Sequence, residues 1–517
     1  MKKKLLAFSL ATLMLLSLAG CGGEKVENQT AGEPEEGKAL PADAELNVVT
    51  VSHSSWPYNE NWEVCKEIRE GVGGKLTVNA YPESDFSTKF SLLMADTDNL
   101  PDVIAFQNIS LATRYFEQGA FLAFDDNLEH LPNYEKFWNS VSPEEKANTY
   151  DIRRAADGKI YAAPPIGNER QLNVMAWLYR KDIFDKHNLK VPETTDELLK
   201  VCRKLKSIYP DSYPLGLRAP FSRINTIGSQ WKPYFHYSVY YDFNNGTWEY
   251  GACEDTMLEI VTFLRKCYEY ELVPLNYFTI NTSEWENLIA NDRSFITCDY
   301  QTRIDTFNSK AREHNPAFNL TAMKPPKADS ATGGALLAKE NFDNQGMAAC
   351  NTGKNASQIN AFRYIDWFYS DEGSAAVSWG KEGVTYEEVD GKRRFIANDG
   401  AEVRTRYGFT TIGTYLRLDP AAGDALVSEE QASTTDMLLA SQTEHLNPVR
   451  WLKPSEEQAA KITELSGYIL PYVEENLSKF LNGTKPLSEW DEFREGLNEL
   501  PIDELLAVYD DMYQQYS

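Results

Sequence analysis

Three short runs, LNVVTV (46–51), KLTVNAY (75–81) and PDVIAF (101–106), decide how this chain is read. The first is a brief apolar run bounded by polar residues, the pattern of a buried strand. The second alternates like a strand, and the third is again apolar and short. Helical patterns separate them, one from about Trp62 and one over residues 87–96. Strand, helix, strand, helix, strand implies βαβ units and a mostly parallel sheet. Open sheets of this kind bind ligands at the carboxyl ends of their strands. Here those ends are the polar loop that holds Trp56 (SHSSWPYNEN, 52–61) and the pair Gln107-Asn108.

A second α/β block begins near Gln171. Residues 173–179 (NVMAWLY) read as a strand, and a helix follows over about 195–208, with Thr194 or Thr195 as its N-cap. A helix over 256–271 precedes a strand at 294–299 (SFITCD), and residues 335–338 and 346–350 also read as strands. The helix expected over 357–370 keeps Ile359, Phe362, Ile365 and Phe368 on one face. The last fifth is helical. Pro471 should kink or divide the helix carrying Ile462, Leu465, Ile469, Val473 and Leu477, and Pro501 should start a terminal helix.

The composition is that of a globular protein: 517 residues, 42% hydrophobic and 25% charged. It excludes a disordered chain, a collagen-like repeat and a polytopic membrane protein. The net charge of −26 disfavours nucleic acid as a partner, because such a surface repels phosphate backbones. The chain is rich in aromatics, enough to leave some available for a binding cleft.

At the N-terminus Lys2, Lys3 and Lys4 precede an apolar run of 14 residues, 5–18, which is the length of a signal-peptide core and short for a membrane span. Leu18-Ala19-Gly20-Cys21 resembles the lipobox of bacterial lipoproteins, in which the cysteine receives a diacylglycerol and becomes the first mature residue. Residues 1–20 then form a lipoprotein signal peptide. Residues 21–44 form the lipidated Cys21 and a flexible tether without aromatic residues. Acyl chains in this number hold a protein stably at a membrane. The expected location is extracytoplasmic, at the outer face of the cell membrane.

Cys65, Cys202, Cys253, Cys267, Cys298 and Cys350 remain. None sits in a CxxC pair, so buried free thiols are the favoured reading, with a Cys253–Cys267 disulfide as the alternative. The scattered histidines offer no zinc spacing. No cofactor is expected.

Four further stretches carry a resemblance: DGKIYAAP (157–164); YRKD (179–182) through VPET (191–194); WGKEGVTY (379–386) with DGK (390–392); and FLNG (480–483) with Trp490-Asp491. In this order and spacing they resemble the extracellular solute-binding proteins of family 1, in the lipoprotein branch of Gram-positive ABC transporters. The resemblance covers about residues 45–517. It implies an α/β, two-lobed periplasmic-binding-protein-like (type 2) fold with a hinge, an interlobe cleft and a helical C-terminus. The lobes it suggests are 45–168 plus 318–370, and 169–317 plus 371–517. It further implies a monomer that delivers a carbohydrate to the transmembrane subunits of an ABC permease, by closing about its hinge. Many relatives carry a calcium loop after the helix placed at 195–208. Here that segment, YPDSYP (209–214), has a single carboxylate, so no calcium is expected.

Sugar recognition needs flat aromatic faces and planar polar groups in a concave pocket. Trp56 and Trp231 (GSQWKP, 228–233) lie in irregular stretches and are candidates for the cleft. Trp379 closes a helix before a Gly380–Gly383 loop, where core packing is the stronger reading. Trp62, Trp285, Trp367 and Trp490 fall on helical patterns and read as core. Asp299 and Tyr300 follow a strand whose family counterpart faces ligand. Gln107 and Asn108 follow the third strand. Arg223 and Arg303 could read an acidic sugar, although a salt-bridged Arg is the commoner outcome.

The chain has no GxSxG, HExxH, GxxxxGK[ST] or GxGxxG motif, and no carboxylate pair stands out, so no catalytic residue is assigned. The alternatives are a binding protein for a non-sugar solute such as a peptide, an exported carbohydrate-active enzyme, and a surface adhesin or sensor accessory. If Cys21 carries the anchor, Cys21→Ala moves the protein from the membrane fraction to the medium. Fractionation and immunoblotting check this, and a Cys21→Ala protein that stays with the membrane contradicts it.

Overall fold

A computed structural model describes residues 31–514 apart from 117, 144–145, 147–148, 156, 167–173, 332–335, 339–344, 398–399, 446, 451 and 453. The leader and Cys21 lie outside the described residues, as does the start of the strand expected at 335–338. Among the described residues no helix is long and apolar enough to cross a membrane.

Seven strands build the two main sheets: β1 (Glu45–Ser52), β2 (Lys75–Pro82), β3 (Val103–Phe106), β4 (Met175–Arg180), β5 (Ile296–Tyr300), β6 (Leu320–Met323) and β7 (Gly346–Ala349). The first sheet has the order β2-β1-β3-β7. β1 runs parallel to both β2 and β3, as the βαβ reading requires, and β7 closes the edge antiparallel to β3. The second sheet, β5-β4-β6, is antiparallel throughout.

The apolar runs are continuous because the strands are covered on both faces. In β1, Leu46 and Val48 enter one core with Trp62, Ile68 and Phe362, while Val49 and Val51 enter another with Phe86, Phe90 and Phe106. In β4, Met175, Trp177 and Tyr179 face the large core of the second lobe, while Ala176 and Leu178 face Trp285 and Phe307.

These cores place the lobe boundaries differently from the sequence-based division. Leu320–Met323 pairs with β4, and Ala328 and Leu337 lie in the second-lobe core, so these residues belong to the second lobe. Residues 377–426 pack on the first lobe, where Val377, Tyr407, Phe409 and Leu426 join the core of Leu46 and Trp62. Among the described residues the chain changes lobe three times. One crossing lies between Ile166 and Val174, one between Met323 and Gly346, and one between Leu426 and Gln431. The first crossing is tied to the segment leading to the third: Ile166 bridges Arg417 and exchanges backbone hydrogen bonds with Leu416 and Leu418.

Other expectations need adjustment. The tether is shorter than 21–44, because Leu40 is fully buried and its N–H donates to the Val72 carbonyl. At 335–338 there is no regular strand among the described residues; Leu337 makes an isolated bridge to Gln442. Pro471 does not divide its helix, which runs unbroken over Glu456–Asn482. Leu465, Ile469, Val473 and Leu477 are buried in the second-lobe core, and tertiary packing outweighs the one missing N–H. All six body cysteines are free, so the Cys253–Cys267 disulfide does not form. Burial pushes the Cys267 thiol up to about 12.

One buried carboxyl ties the helix Asn355–Trp367 to the helix Pro132–Ser140. Asp366 accepts from the Tyr134 N–H and from Asn133 Nδ2, both at 2.8 Å. Burial nevertheless raises its pKa to about 6, from 3.8 in the unfolded chain. Between these values the native state binds the extra proton, so stability falls as pH rises from about 4 to about 6. Asp366→Asn has no charge to bury and escapes that fall. Its melting temperature should gain on wild type between pH ~4 and pH ~7, and a difference that is constant across this range contradicts the assignment.

Candidate functional site

A cavity of about 1060 Å³ lies between the lobes. That is at the upper end of small-molecule sites, which run to roughly 1,000 Å³, and leaves room for more than one sugar-sized ring. The first lobe lines it with the loops after three parallel strands: His53 to Trp56 after β1, Glu83 after β2 and Gln107 after β3. This is the carboxyl end of the sheet, where the topology opens a crevice. A segment around residues 401–412 completes that wall. The second lobe contributes Arg218, Glu286, Tyr300 and the helix Arg303–Arg312.

The first wall carries an aromatic platform. The His53 ring stacks on Trp56 with centroids 3.9 Å apart and planes 6° from parallel. The Ser55 N–H donates to His53 Nδ1 at 3.0 Å, which leaves the ring proton on Nε2, the nitrogen facing Glu83 at 3.7 Å. Burial lowers the His53 pKa, so the ring stacks uncharged at neutral pH. The Arg404 guanidinium lies over Trp56, 5.7 Å from the ring centroid, and its Nε donates to Thr410 Oγ1 at 3.0 Å.

Thr410 has φ +56°, a left-handed conformation that β-branched residues rarely adopt. The loop around it is fixed at two glycines. A Cβ on Gly408 would lie 2.4 Å from the Trp62 ring, and one on Gly413 would lie 2.4 Å from Thr50 Oγ1. Thr50 also donates to the Ile412 carbonyl at 3.0 Å. The late segment is thereby locked onto the end of β1.

The second wall is built on Asp299, fully buried in β5. Arg218 binds it through both oxygens, with Nε to Oδ2 at 2.8 Å and an NH2 group to Oδ1 at 3.0 Å. Arg223 donates to Oδ2 at 3.1 Å and Arg303 to Oδ1 at 3.3 Å. Burial alone would raise the Asp299 pKa. The charges of Arg223, Arg218 and Arg303 outweigh it and hold the carboxyl below its usual value. Arg303 also pairs with Glu286 at 2.7 Å. Arg218 and Arg303 both lie over the indole of buried Trp285, at 5.0 and 5.1 Å.

Of the residues singled out from sequence, Trp56, Gln107, Tyr300 and Arg303 meet on this cavity. Asp299 lies beneath its wall, with its oxygens taken by guanidinium groups, and positions the lining residues Arg218 and Arg303. Arg223 is buried with it. Asn108 is off the lining; its side chain accepts from the Ser110 N–H as an N-cap. Trp231 is core, 5.6 Å from the Phe263 ring, because its irregular stretch folds inward behind the helix Pro220–Gly228. Trp379 is also buried, stacked on Phe395 and donating to Asp419 Oδ2 at 2.8 Å.

Sequence reasoning missed His53, Arg218, Glu286, Arg404 and Thr410. His53 lay in the loop already singled out for Trp56. Glu286 lies on the helix Thr282–Ala290 beside Trp285, while Arg218, Arg404 and Thr410 come from segments without a readable period. In the 209–214 loop, Lys206 donates to the Ser212 carbonyl and Arg293 to the Asp211 carbonyl. Among the described residues no three His, Cys, Asp or Glu side chains gather to hold a metal.

Comparison with known proteins places the chain. The model of the bacterial extracellular solute-binding proteins matches residues 63–382, more than half of the sequence, and the chain belongs to that family. It is 24% identical to the fructooligosaccharide ABC transporter substrate-binding protein FusA of Streptococcus pneumoniae, over 98% of this chain and 97% of that one. It is 28% identical to the polygalacturonan/rhamnogalacturonan-binding protein YtcQ of Bacillus subtilis over 38% of this chain and 35% of that one. Among solved structures, the alginate-binding protein AlgQ2 without calcium ion superposes with TM-score 0.73 at 20% identity, covering 93% of this chain and 100% of that one. FusA of S. pneumoniae in complex with kestose gives TM-score 0.72 at 18% identity, covering 92% and 99%. The two-lobed solute-binding fold is therefore shared.

Asp299→Asn leaves three guanidinium groups around a neutral amide. Breaking a buried ion pair in this way costs about 3–5 kcal/mol, which urea unfolding should register. A cost below about 1 kcal/mol contradicts the role given to Asp299.

Proposed function

We propose that this extracellular solute-binding protein captures an oligosaccharide between its lobes and delivers it to the transmembrane subunits of an ABC permease. The observation that carries the reading is the Trp56 platform, backed by His53 and set on a cavity of about 1060 Å³ between the lobes. A flat indole offers a face to pyranose or furanose C–H surfaces, and neighbouring amides and hydroxyls, among them Gln107, Tyr300, Thr302 and Gln345, suit sugar hydroxyls. The relatives named for fructooligosaccharide and polygalacturonan support a carbohydrate cargo. Closure about the three crossings would report occupancy to the permease. The signal-peptide and lipobox pattern supports an anchor through Cys21 at the outer face of the membrane, from which the protein would deliver its cargo as a monomer. The chemistry proposed is binding without catalysis.

A thermal-shift screen against oligosaccharides tests the reading, because a ligand that binds only the native state raises its melting temperature. Trp56→Ala removes the stacking face. Loss of a buried aromatic contact of about 1–3 kcal/mol should weaken sugar binding roughly tenfold to a hundredfold without unfolding the protein. Trp231→Ala, by contrast, should act on stability. A sugar that binds Trp56→Ala as tightly as wild type contradicts the cleft assignment, and a shift with peptides alone contradicts the sugar.

A further inference from the structure

We infer that the cleft selects an uncharged oligosaccharide and rejects acidic glycans such as oligouronates. This rests on the sugar reading above and narrows it.

An acidic sugar unit brings a carboxylate that needs an available cation. Three of the four guanidinium groups that line this cleft, those of Arg218, Arg303 and Arg312, are already paired with protein carboxylates, and the fourth, Arg404, lies over Trp56 and donates to Thr410. Arg218 and Arg223 are held by Asp299, and Arg303 is divided between Asp299 and Glu286. Arg312 binds both oxygens of Glu430, at 3.0 and 2.9 Å. Two more cations line the cavity, Lys310 and Arg404, and Glu83, Asp305 and Glu313 outnumber them even with Glu402 paired to Arg406. Among the described lining residues, six carboxylates therefore face five permanent cations. His53 adds no charge at neutral pH, since burial lowers its pKa.

A uronate could gain the Arg218, Arg303 or Arg312 guanidinium only by displacing one of these partners. That would leave Asp299 or Glu286 short of its counter-charge in a desolvated wall, which is the costly half of breaking a buried pair. The protein's net charge of −26 adds a long-range barrier to anion approach. A neutral sugar meets no such conflict. Its hydroxyls are donors, and the carboxylate and amide oxygens of the lining are acceptors suited to them.

The test is isothermal titration of the full-length mature protein with two sets of oligosaccharides of three to five units. The neutral set comprises fructo-, malto-, manno-, xylo- and galacto-oligosaccharides. The acidic set comprises oligogalacturonates and alginate-derived oligouronates. At least one neutral ligand should bind, at least tenfold more tightly than any acidic one. Its affinity should change less than about threefold between low and high salt, because no ion pair forms across the interface. An acidic ligand that binds as well as the best neutral one overturns the inference and leaves the sugar reading standing. Binding by neither set overturns both. In Glu286→Gln, Arg303 loses one of its two partners, and oligogalacturonate affinity should rise at least tenfold. If this variant keeps the neutral ligand and still rejects the uronate, the pairing of Arg303 is not the cause of exclusion and the inference fails.

Discussion

The cleft depends on one buried carboxylate. Asp299 accepts from three arginines that come from three different places in the chain: Arg218 from an irregular segment, Arg223 from the helix Pro220–Gly228, and Arg303 from the start of the helix Arg303–Arg312. Hydrogen bonds to ionised partners are short and directional, and a paired guanidinium cannot wander. The cluster therefore does two jobs. It fixes the second-lobe wall as a rigid surface over Trp285, and with Glu286 it offsets most of the guanidinium charge on that wall. A single carboxylate at the end of β5 sets both the shape and the electrostatics of that wall.

The opposite wall is assembled by a different constraint. Its platform residues follow β1, but they are backed by a loop some 350 residues later in the chain. Gly408 and Gly413 permit contacts with Trp62 and Thr50 that any side chain would block, and between them Thr410 is held in a left-handed conformation. Strain of this kind persists only where surrounding contacts over-determine the backbone, and it gathers at functional sites. The two walls meet across three chain crossings. The pairing of Ile166 with Leu416 and Leu418 ties the first crossing to the segment leading to the third, so they can move as one hinge.

The fold was legible where local pattern and burial agree. The run LNVVTV reads as a strand because both faces of β1 are covered, and Thr194 caps its helix as expected by accepting from the Glu197 N–H. Lobe boundaries were less legible, because β6 pairs with β4, far earlier in the sequence, and residues 377–426 return to the first lobe. The site was half legible. Trp56 and Gln107 follow from the rule that ligands sit at the carboxyl ends of parallel strands. Trp231 failed because an irregular stretch can be buried as readily as a regular one. Arg404 and Arg218 carry no local signal; only the tertiary fold brings them to the cleft.

The most direct test of the account is the crystal structure of the protein with a neutral oligosaccharide identified by titration. A sugar ring should lie against Trp56, its hydroxyls reaching the second-lobe wall, with the Asp299 ion pairs intact and the lobes closed on it. A sugar bound outside the interlobe cleft, or one that reaches its site by breaking the Asp299 cluster, would contradict the account.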